Sequence, residues 1–384
     1  MTNKTLYLEA QRLFRPQKHG MDVVALALLR GIKRQTLPIN VKVLVKPDTD
    51  KCLQSSNGFD VEELPGGFYP LWEQWTLPRR LAQDTGAWLH ATGNTAPIWG
   101  TTPLIVTIHD LIYIDDNYLW KRDGGTWYQR FGNTYRRWIV PLVAKRAKHI
   151  ITVSEFQREA IVRQLDVDPA QVTVVYNGAD DDFFRLRSSQ EIEAMRHQLG
   201  LGNNPYIFFL ANAEPRKNTD GVITAYAQLI ARYPDCPYDL VLKGLSDEVL
   251  QRKLDAAGCS AIAHRIHRVG YIESSLLPTV YQGASMLWFP SFSEGFGLPI
   301  VEAMAGGVPV ITSNGSVMPE IAADAALYVD PTKPNELVDQ TIGLWNQPEL
   351  GQRLAALGKQ RAKQFTWDAA TKKLLHVYDS VGVF

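Results

Sequence analysis

The feature that most restricts the fold of this chain is an alternation of strand-like runs with helical patterns, which occurs twice along its 384 residues. The runs, rich in β-branched and aromatic residues, lie at 5–8, 41–45, 104–108, 149–153 and 172–175, then at 206–210, 238–242, 265–269, 285–289 and 308–311. This alternation predicts βαβ units and parallel sheets. Residues 180–204 contain an acidic turn, a polar helix and a turn-rich end, so we expect the linker there. The sequence therefore predicts an α/β protein of two doubly wound, Rossmann-like domains, with a cleft between them.

The segment 291–319, SFSEGFGLPIVEAMAGGVPVITSNGSVMP, combines two carboxylates with a glycine-rich turn and a helix start. A proline suited to a first helical position follows the glycines, so Glu294 is expected on the turn and Glu302 on the helix. Gly295 and Gly297 allow main-chain N–H groups to approach a ligand at a helix N-terminus, where phosphate is favoured. In a helix the glutamates would be about 12 Å apart at ~1.5 Å per residue, whereas a glycosidase pair needs roughly 5 to 9.5 Å. We therefore predict a nucleotide diphosphate site; the alternative is a packing helix with solvated glutamates.

Two adjacent cations, Arg216 and Lys217, lie between a strand-like run and a helix that begins near Asn218. Cations at a helix N-terminus are unfavourable unless an anion is close. An arginine can hold phosphate oxygens in a fork, and a lysine can act as a point charge. The pair is therefore predicted to bind phosphate; the alternative is an exposed, charged helix start.

Further segments match a known family in order and spacing. They are KHGMDVVALALL from Lys18, TIHDLIY from Thr107, ITVSEFQ from Ile151, VVYNGAD from Val174, EPRKNTDGVITAY from Glu214 and FTWDAA from Phe365. With the segment 291–319, they make the chain resemble the retaining nucleotide-sugar glycosyltransferases of family 4, the group 1 enzymes with the GT-B fold. The resemblance implies an acceptor-binding domain over 1–185, a nucleotide-sugar-binding domain over 186–365, and a C-terminal helix, about 366–384, that packs back on the first domain.

The resemblance also implies roles for individual residues. Catalytic roles fall to His109, Arg216, Lys217 and Glu294, with His109 near the anomeric carbon and Glu294 on the donor-sugar hydroxyls. Glu302 would hold the ribose. The implied donor-binding residues are Gly20, Tyr271, Ile272, Gly295, Phe296, Gly297, Leu298 and Glu302. Many relatives have an arginine where this chain has Asn212, so the diphosphate is expected to depend more on the two cations.

No cofactor and no metal ion are expected. Asp180, Asp181 and Asp182 follow an Asn-Gly pair, a pattern more typical of a polar turn. His264 and His267 are spaced for one helical face but have no third ligand near in sequence. The phosphates are therefore predicted to be neutralised by protein groups.

Charge and composition restrict the location and the partners. Forty basic and forty acidic residues balance, so no nucleic-acid partner is expected. Three widely spaced cysteines form no zinc or disulfide pattern. No signal peptide and no membrane-spanning run is visible, so a cytoplasmic protein is expected.

A basic, aromatic-rich segment over 120–150 offers a possible contact with the cytoplasmic face of the inner membrane. Its cations include Lys121, Arg122, Arg136 and Arg137, against the single acid Asp123. The alternative is an ordinary helix with a solvated basic face.

The predicted function is metal-independent hexose transfer from a nucleotide-diphosphate sugar to a glycan or lipid-diphosphate-linked acceptor, in surface polysaccharide or glycoconjugate biosynthesis. GDP-mannose is the preferred donor, because HDLIY and EPRKN resemble the mannosyl- and rhamnosyl-transferring branches. The alternatives are a sugar-nucleotide epimerase of the same fold and a catalytically inactive, sugar-nucleotide-binding scaffold.

Overall fold

The computed structural model describes residues 4–14, 20–47, 58–114 and 127–384. It divides into two compact units, one formed by Met1–Asn177 with Trp367–Phe384 and the other by Gly178–Thr366. The division lies before Gly178, whereas the sequence analysis placed it after residue 185. The reason is that the intervening residues pack on the second unit: Phe183 contacts the Tyr281 ring edge to face at 5.7 Å, and the side-chain amide of Gln282 donates to the Arg185 carbonyl at 2.7 Å.

The first unit is built on parallel strands joined mainly by helices. Its elements, up to the division, are β1 (Thr5–Glu9), a 3-10 turn (Gln11–Phe14), α1 (Gly20–Lys33), β2 (Asn40–Val45), β3 (Val61–Glu63), α2 (Tyr69–Leu71), a π turn (Trp72–Thr76), α3 (Leu77–Leu81), β4 (Trp88–Ala91), β5 (Leu104–Ile108), α4 (Trp127–Arg146), β6 (His149–Thr152), α5 (Glu155–Leu165), a 3-10 turn (Pro169–Gln171) and β7 (Val172–Val174). Among the described residues the sheet has seven strands in the order β3-β2-β1-β4-β5-β6-β7. The order reverses beside β1, as in doubly wound folds.

The second unit repeats this plan with another sheet. Its elements are α6 (Asp181–Phe184), α7 (Ser189–Gln198), β8 (Tyr206–Leu210), a 3-10 turn (Pro215–Lys217), α8 (Thr219–Arg232), β9 (Asp239–Lys243), α9 (Asp247–Ala256), a 3-10 turn (Ser260–Arg265), β10 (Ile266–Val269), α10 (Leu277–Gln282), β11 (Met286–Phe289), α11 (Leu298–Ala305), β12 (Val310–Ser313), α12 (Met318–Ala322), a 3-10 turn (Ala323–Ala325), β13 (Ala326–Val329), α13 (Pro334–Asn346) and α14 (Pro348–Ala362). The six parallel strands have the order β10-β9-β8-β11-β12-β13. Here the order reverses between β8 and β11.

The last helix, α15 (Trp367–Ser380), belongs to the first unit and packs against α1. The two helices approach closely at Gly31, where an added Cβ would lie 2.0 Å from the hydroxyl oxygen of Thr371. Tyr378 also reaches the sheet, because its hydroxyl lies 2.6 Å from Nδ1 of His90 on β4. A buried polar contact and a close helix crossing thus fix the end of the chain.

Three strands were not predicted: β3, β4 and β13. The omission of β4 matters most, because this strand lies in the middle of the first sheet. Its four residues, WLHA, include His90, which is buried. The ring satisfies its polar atoms with Tyr378 and with the Thr107 hydroxyl at 2.8 Å. A buried histidine with long-range partners interrupts the apolar pattern by which a short core strand is recognised.

Candidate functional site

Three of the predicted site residues form one ion cluster at the carboxyl end of the second sheet. The Arg216 guanidinium donates to one Glu294 oxygen at 2.7 Å, and the Lys217 ammonium donates to the other at 2.6 Å. The cations come from the turn after β8 and the glutamate from the loop after β11. These two strands are neighbours where the strand order reverses. Ligands of doubly wound sheets bind at this kind of position.

The cluster concentrates positive charge around one buried carboxylate. Burial alone would raise the pKa of Glu294, but the charges of Lys217 and Arg216 overcome it and hold the pKa below its ordinary value. Arg216 also pairs with Glu214 at 2.6 Å, and the Lys217 ammonium lies 5.3 Å from the centre of the Phe289 ring. Both cations are mostly buried, with side chains 19% and 17% exposed. Partly dehydrated cations attract a phosphate more strongly than solvated ones do.

The two loops that carry the cluster are tied together by backbone and amide hydrogen bonds. The Phe292 N–H donates to the Arg216 carbonyl at 2.8 Å. Asn218, in left-handed conformation at φ 58°, starts α8. Its side-chain amide donates to the carbonyls of Pro290 and Pro331 at 3.1 and 2.8 Å. These contacts fix the turn that presents Arg216 and Lys217.

Ser316 positions the backbone of Glu294. Its hydroxyl accepts from the Glu294 N–H at 3.1 Å and donates to the Glu294 carbonyl at 3.2 Å. Ser316 itself has a φ of 55°, an uncommon conformation for a residue with a side chain. Ser316 was not predicted as a site residue, because its only signal in the sequence is its place in the turn that follows β12.

The glycine-rich turn leads directly into α11. Gly297 precedes the helix with a φ of 95°, where a side chain would be strained, and an added Cβ would lie 3.3 Å from the side chain of Ile300. Pro299 is in the first turn, and Leu298 is the first helical residue. Phe296 is buried with its ring edge to face on Phe365 at 5.7 Å. Its side chain therefore serves the core, and a donor contact would come from its backbone.

Glu302 lies on α11, as expected, and has a different environment from Glu294. It accepts a hydrogen bond from the Tyr281 hydroxyl at 2.7 Å. Burial raises the pKa of Glu302, an effect that Tyr281 and Lys243 only partly offset. Burial lowers the pKa of Lys243, which lies at the end of β9, while the charge of Glu302 raises it. Tyr281 and Lys243 were not identified from the sequence.

Tyr271 and Ile272 follow β10, an edge strand of the second sheet. Tyr271 is 57% exposed, whereas Ile272 is buried. The strand order places β9 between β10 and β8, so these two residues lie beside the ion cluster and not in it. Of the two residues, only Tyr271 has an exposed ring that can stack on a flat ligand.

The remaining predicted residues belong to the first unit. His109 directly follows β5; its backbone N–H donates to the Asn94 side chain at 2.7 Å, and its ring Nε2 lies 2.9 Å from the Thr92 carbonyl. These contacts orient a buried imidazole. Gly20 begins α1 and is exposed, with no described atom within 4 Å of an added Cβ.

No group of three or more histidine, cysteine, aspartate or glutamate residues forms a candidate metal site in the ranges that the structure describes. Asp182 pairs with Arg187 at 2.6 Å. His264 and His267, although spaced for one helical face, do not share a helix: His264 lies in a 3-10 turn, and His267 lies on β10, within the run 265–269 that was predicted as a strand. His267 instead contacts Asp239 at 2.9 Å.

Comparison with known proteins adds independent information. The family model "Glycosyltransferase Family 4" matches residues 19–183, and "Glycosyl transferases group 1" matches residues 191–361. The O-antigen chain mannosyltransferase B of Escherichia coli is 32% identical over 60% of this chain and 60% of its own length. A D-inositol 3-phosphate glycosyltransferase of Corynebacterium diphtheriae is 23% identical over 94% of this chain and 89% of its own.

Among solved structures, HepE of Anabaena in complex with UDP superposes with a TM-score of 0.75 at 20% identity, over 98% of this chain and all of that one. WaaG, a glycosyltransferase of lipopolysaccharide biosynthesis, gives a TM-score of 0.74 at 14% identity, over 97% of this chain and 99% of that one. At these identities the likeness concerns the fold. The architecture is the two-domain α/β arrangement of these proteins.

Proposed function

This chain belongs to the group 1 glycosyltransferases with the GT-B fold, and we propose that it moves a hexose from a nucleotide-diphosphate sugar to a glycan or lipid-linked glycan. The observation that carries the proposal is the cluster of Arg216, Lys217 and Glu294 at the strand-order reversal of the second sheet. Retention of the anomeric configuration, independence from metal ions and a role in surface polysaccharide biosynthesis are parts of the same proposal.

The cluster has the charges that the reaction requires. When the anomeric C–O bond breaks, the bonding electrons go to the departing phosphate, where negative charge grows. Arg216 and Lys217 would stabilise that charge, and the carboxylate of Glu294, already between them, would turn to the donor-sugar hydroxyls. On a front-face route the acceptor oxygen bonds to the anomeric carbon, and a phosphate oxygen takes the acceptor proton. The two side-chain cations would neutralise the diphosphate, as a divalent ion does in other glycosyltransferases.

The donor is proposed to be GDP-mannose. Two of the relatives are O-antigen chain mannosyltransferases, of Escherichia coli and Salmonella typhimurium. Others act on D-inositol 3-phosphate by name, and HepE was solved with UDP. The choice of nucleotide therefore needs a direct comparison of donors.

Thermal unfolding with a panel of GDP-, UDP-, dTDP- and ADP-sugars tests the proposal, because a ligand that binds only the folded state raises Tm by mass action. We expect GDP-mannose to raise Tm by a few degrees, equally with and without EDTA. The other donors should have smaller effects. If no sugar nucleotide raises Tm, or if the shift requires a divalent ion, the proposed site is contradicted. Incubation with the donor alone, followed by analysis of the sugar, should yield no epimer.

A further inference from the structure

The first unit carries a concentration of exposed apolar side chains. Among the described residues, eight of the twelve large hydrophobic side chains that are exposed lie on three of its segments. These eight, which we call the aromatic face, are Phe68, Leu71, Trp75, Ile98, Trp99, Phe131, Trp138 and Leu142. Isolated exposed apolar residues are common, but a grouping of this kind marks a surface that binds something.

The spacing along the chain places these side chains in two stripes and a connecting loop. Phe68 directly precedes α2 with extended backbone, and Leu71 and Trp75 follow three and seven residues later on the helical segment that runs from α2 to α3. Phe131, Trp138 and Leu142 recur at seven and four residues along α4. The rings of Phe68 and Phe131 are 5.6 Å apart, so the stripes meet.

The loop that follows β4 fills the space beside the first stripe. Trp99 lies edge to face on Trp75 at 6.1 Å, and its indole N–H donates to the Gln74 carbonyl at 2.6 Å. Because the polar atom of Trp99 is satisfied inside the protein, its ring presents only apolar surface outward. Trp138 is 73% exposed and Trp75 is 53% exposed.

A buried carboxylate holds the three segments together beneath the aromatic face. Glu73 accepts hydrogen bonds from the hydroxyls of Tyr69 and Thr95, each at 2.6 Å, and from the Tyr135 hydroxyl. Gln74 adds a bond from its side-chain amide to the Tyr135 oxygen at 2.9 Å. Burial and the charge of Glu73 raise the pKa of Tyr135, so its hydroxyl stays protonated and continues to donate. Buried hydrogen bonds thus connect the three segments that carry the aromatic face to one another.

The excess of positive charge on the segments that carry the aromatic face favours an anionic bilayer over a protein as its partner. Segments 68–81, 92–103 and 127–146 contain seven arginines and lysines and one acid, the buried Glu73, in a chain whose total charge is zero. Arg80 forms an ion pair with Glu62. The Arg146 guanidinium donates to the carbonyls of Pro97 and Thr102, each at 2.9 Å. Exposed cations remain at Arg79, whose guanidinium lies 4.0 Å from the centre of the Trp75 ring, and at Lys145.

We propose that the aromatic face docks the first unit on a phospholipid bilayer, with its tryptophans at the level of the headgroups and Arg79 and Lys145 on lipid phosphates. Tryptophan is enriched at membrane interfaces, and surface cations add attraction to anionic lipid. No described helix is long and apolar enough to cross a membrane, so contact of this kind would be peripheral. The proposal goes beyond the transfer reaction, since it concerns the free chain and needs neither donor nor acceptor.

This surface overlaps the basic segment 120–150 at Phe131, Trp138 and Leu142, but it depends on apolar side chains rather than on the cations of that segment. Lys121, Arg122 and Asp123 lie outside the described residues. Arg136 and Arg137 are half-buried on α4, and the Arg136 guanidinium donates to Asn133 at 3.0 Å. Docking through apolar rings predicts weak sensitivity to these two arginines and only partial loss of binding in salt.

Flotation with vesicles of phosphatidylethanolamine and phosphatidylglycerol tests the proposal. Trp138→Gln and Trp75→Gln should each lower vesicle binding roughly tenfold, the effect of withdrawing one buried aromatic ring. Leu186→Gln, which changes an apolar side chain of the second unit that is 69% exposed, should bind as the wild type does. Phospholipids brominated in their acyl chains should quench the tryptophan fluorescence of the wild type, and less that of Trp138→Gln. Circular dichroism confirms that the variants are folded.

Three outcomes would overturn the proposal. The first is wild-type protein that ignores these vesicles at low salt. The second is binding that survives both tryptophan changes but is lost in Arg136→Glu/Arg137→Glu. The third is a concentration-dependent dimer that the tryptophan changes abolish in the absence of lipid, which would assign the aromatic face to a second copy of the chain.

Discussion

Glu294 and Glu302 lie eight positions apart in the sequence and occupy opposite electrostatic environments. Glu294 is buried between two cations, which lower its pKa. Glu302 accepts from a neutral tyrosine hydroxyl, and burial raises its pKa. The comparison shows that two glutamates on one turn and the helix behind it differ because charge decides the pKa of Glu294, whereas burial decides the pKa of Glu302. The charged region suits the leaving phosphate, and the other suits hydroxyl groups such as those of a ribose.

The largest expected effect comes from removing the positive charge around Glu294. Lys217→Ala and Arg216→Ala should each lower kcat by roughly 10²-fold or more, because each removes a charge partner of the transition state. Arg232→Ala is the matched control, since that arginine forms an exposed ion pair with Asp339 at 3.3 Å. Initial rates with saturating donor measure the effect. Near-normal turnover in both site variants would show that the cations around Glu294 do not stabilise the transition state, and the site of Glu294 would then not differ in function from that of Glu302.

The next effect separates the two carboxylates. Glu294→Gln should lower kcat by at least about tenfold, because its proposed contacts change as the sugar reacts. Glu302→Gln should raise the donor KM more than it lowers kcat, the pattern of lost uniform binding. Steady-state kinetics over a range of donor concentrations decide between them. A KM effect confined to Glu294→Gln and a kcat effect confined to Glu302→Gln would reverse the assigned roles.

The smallest effect is on stability and has opposite signs at the two sites. The lowered pKa of Glu294 means that its contribution to stability is present above about pH 4.5 and is lost as pH falls through its lower folded pKa. The raised pKa of Glu302 means that its contribution is present below about pH 4.5 and is lost as pH rises through its folded pKa.

Tm measured against pH tests these signs. Relative to the wild type, Glu294→Gln should be less stable at neutral pH, and the difference should shrink in acid. Glu302→Gln should gain in relative stability as pH rises. Differences of a few degrees are expected, since about 1 kcal/mol shifts Tm by roughly 2–4 °C in domains of this size. Parallel curves for both variants would show that the two environments do not differ.

The sequence predicted most of the fold, because long apolar runs with β-branched residues identify buried parallel strands without knowledge of their neighbours. It failed at β4, where His90 depends on Tyr378, a residue 288 positions away. It placed His267 on a strand correctly but could not predict its contact with Asp239, 28 positions away. Local sequence patterns predict local conformation, but they do not predict contacts between residues that are far apart in the chain.

The same limit applies to the site. Adjacent cations and the glycine-rich turn were recognised from local chemistry, but their pairing with Glu294 joins residues 77 and 78 positions apart. The contact of Ser316 with Glu294 likewise comes from the way parallel strands bring separate loops to one edge of the sheet. Tyr281 meets Glu302 because two helices, α10 and α11, pack against each other. Residue types identified the candidates, and the fold supplied their partners.

The most direct test of the central claim is the Kd of a nucleoside diphosphate, measured by isothermal titration calorimetry with GDP and with UDP. The account predicts that the wild type binds at least one of them without a divalent ion. It also predicts that Arg216→Met/Lys217→Met weakens that binding by roughly 10²-fold or more, whereas Lys333→Met, at an exposed lysine paired with Asp330 at 3.2 Å, leaves it unchanged. Equal Kd values for the wild type and the double variant would contradict a diphosphate site at this cluster.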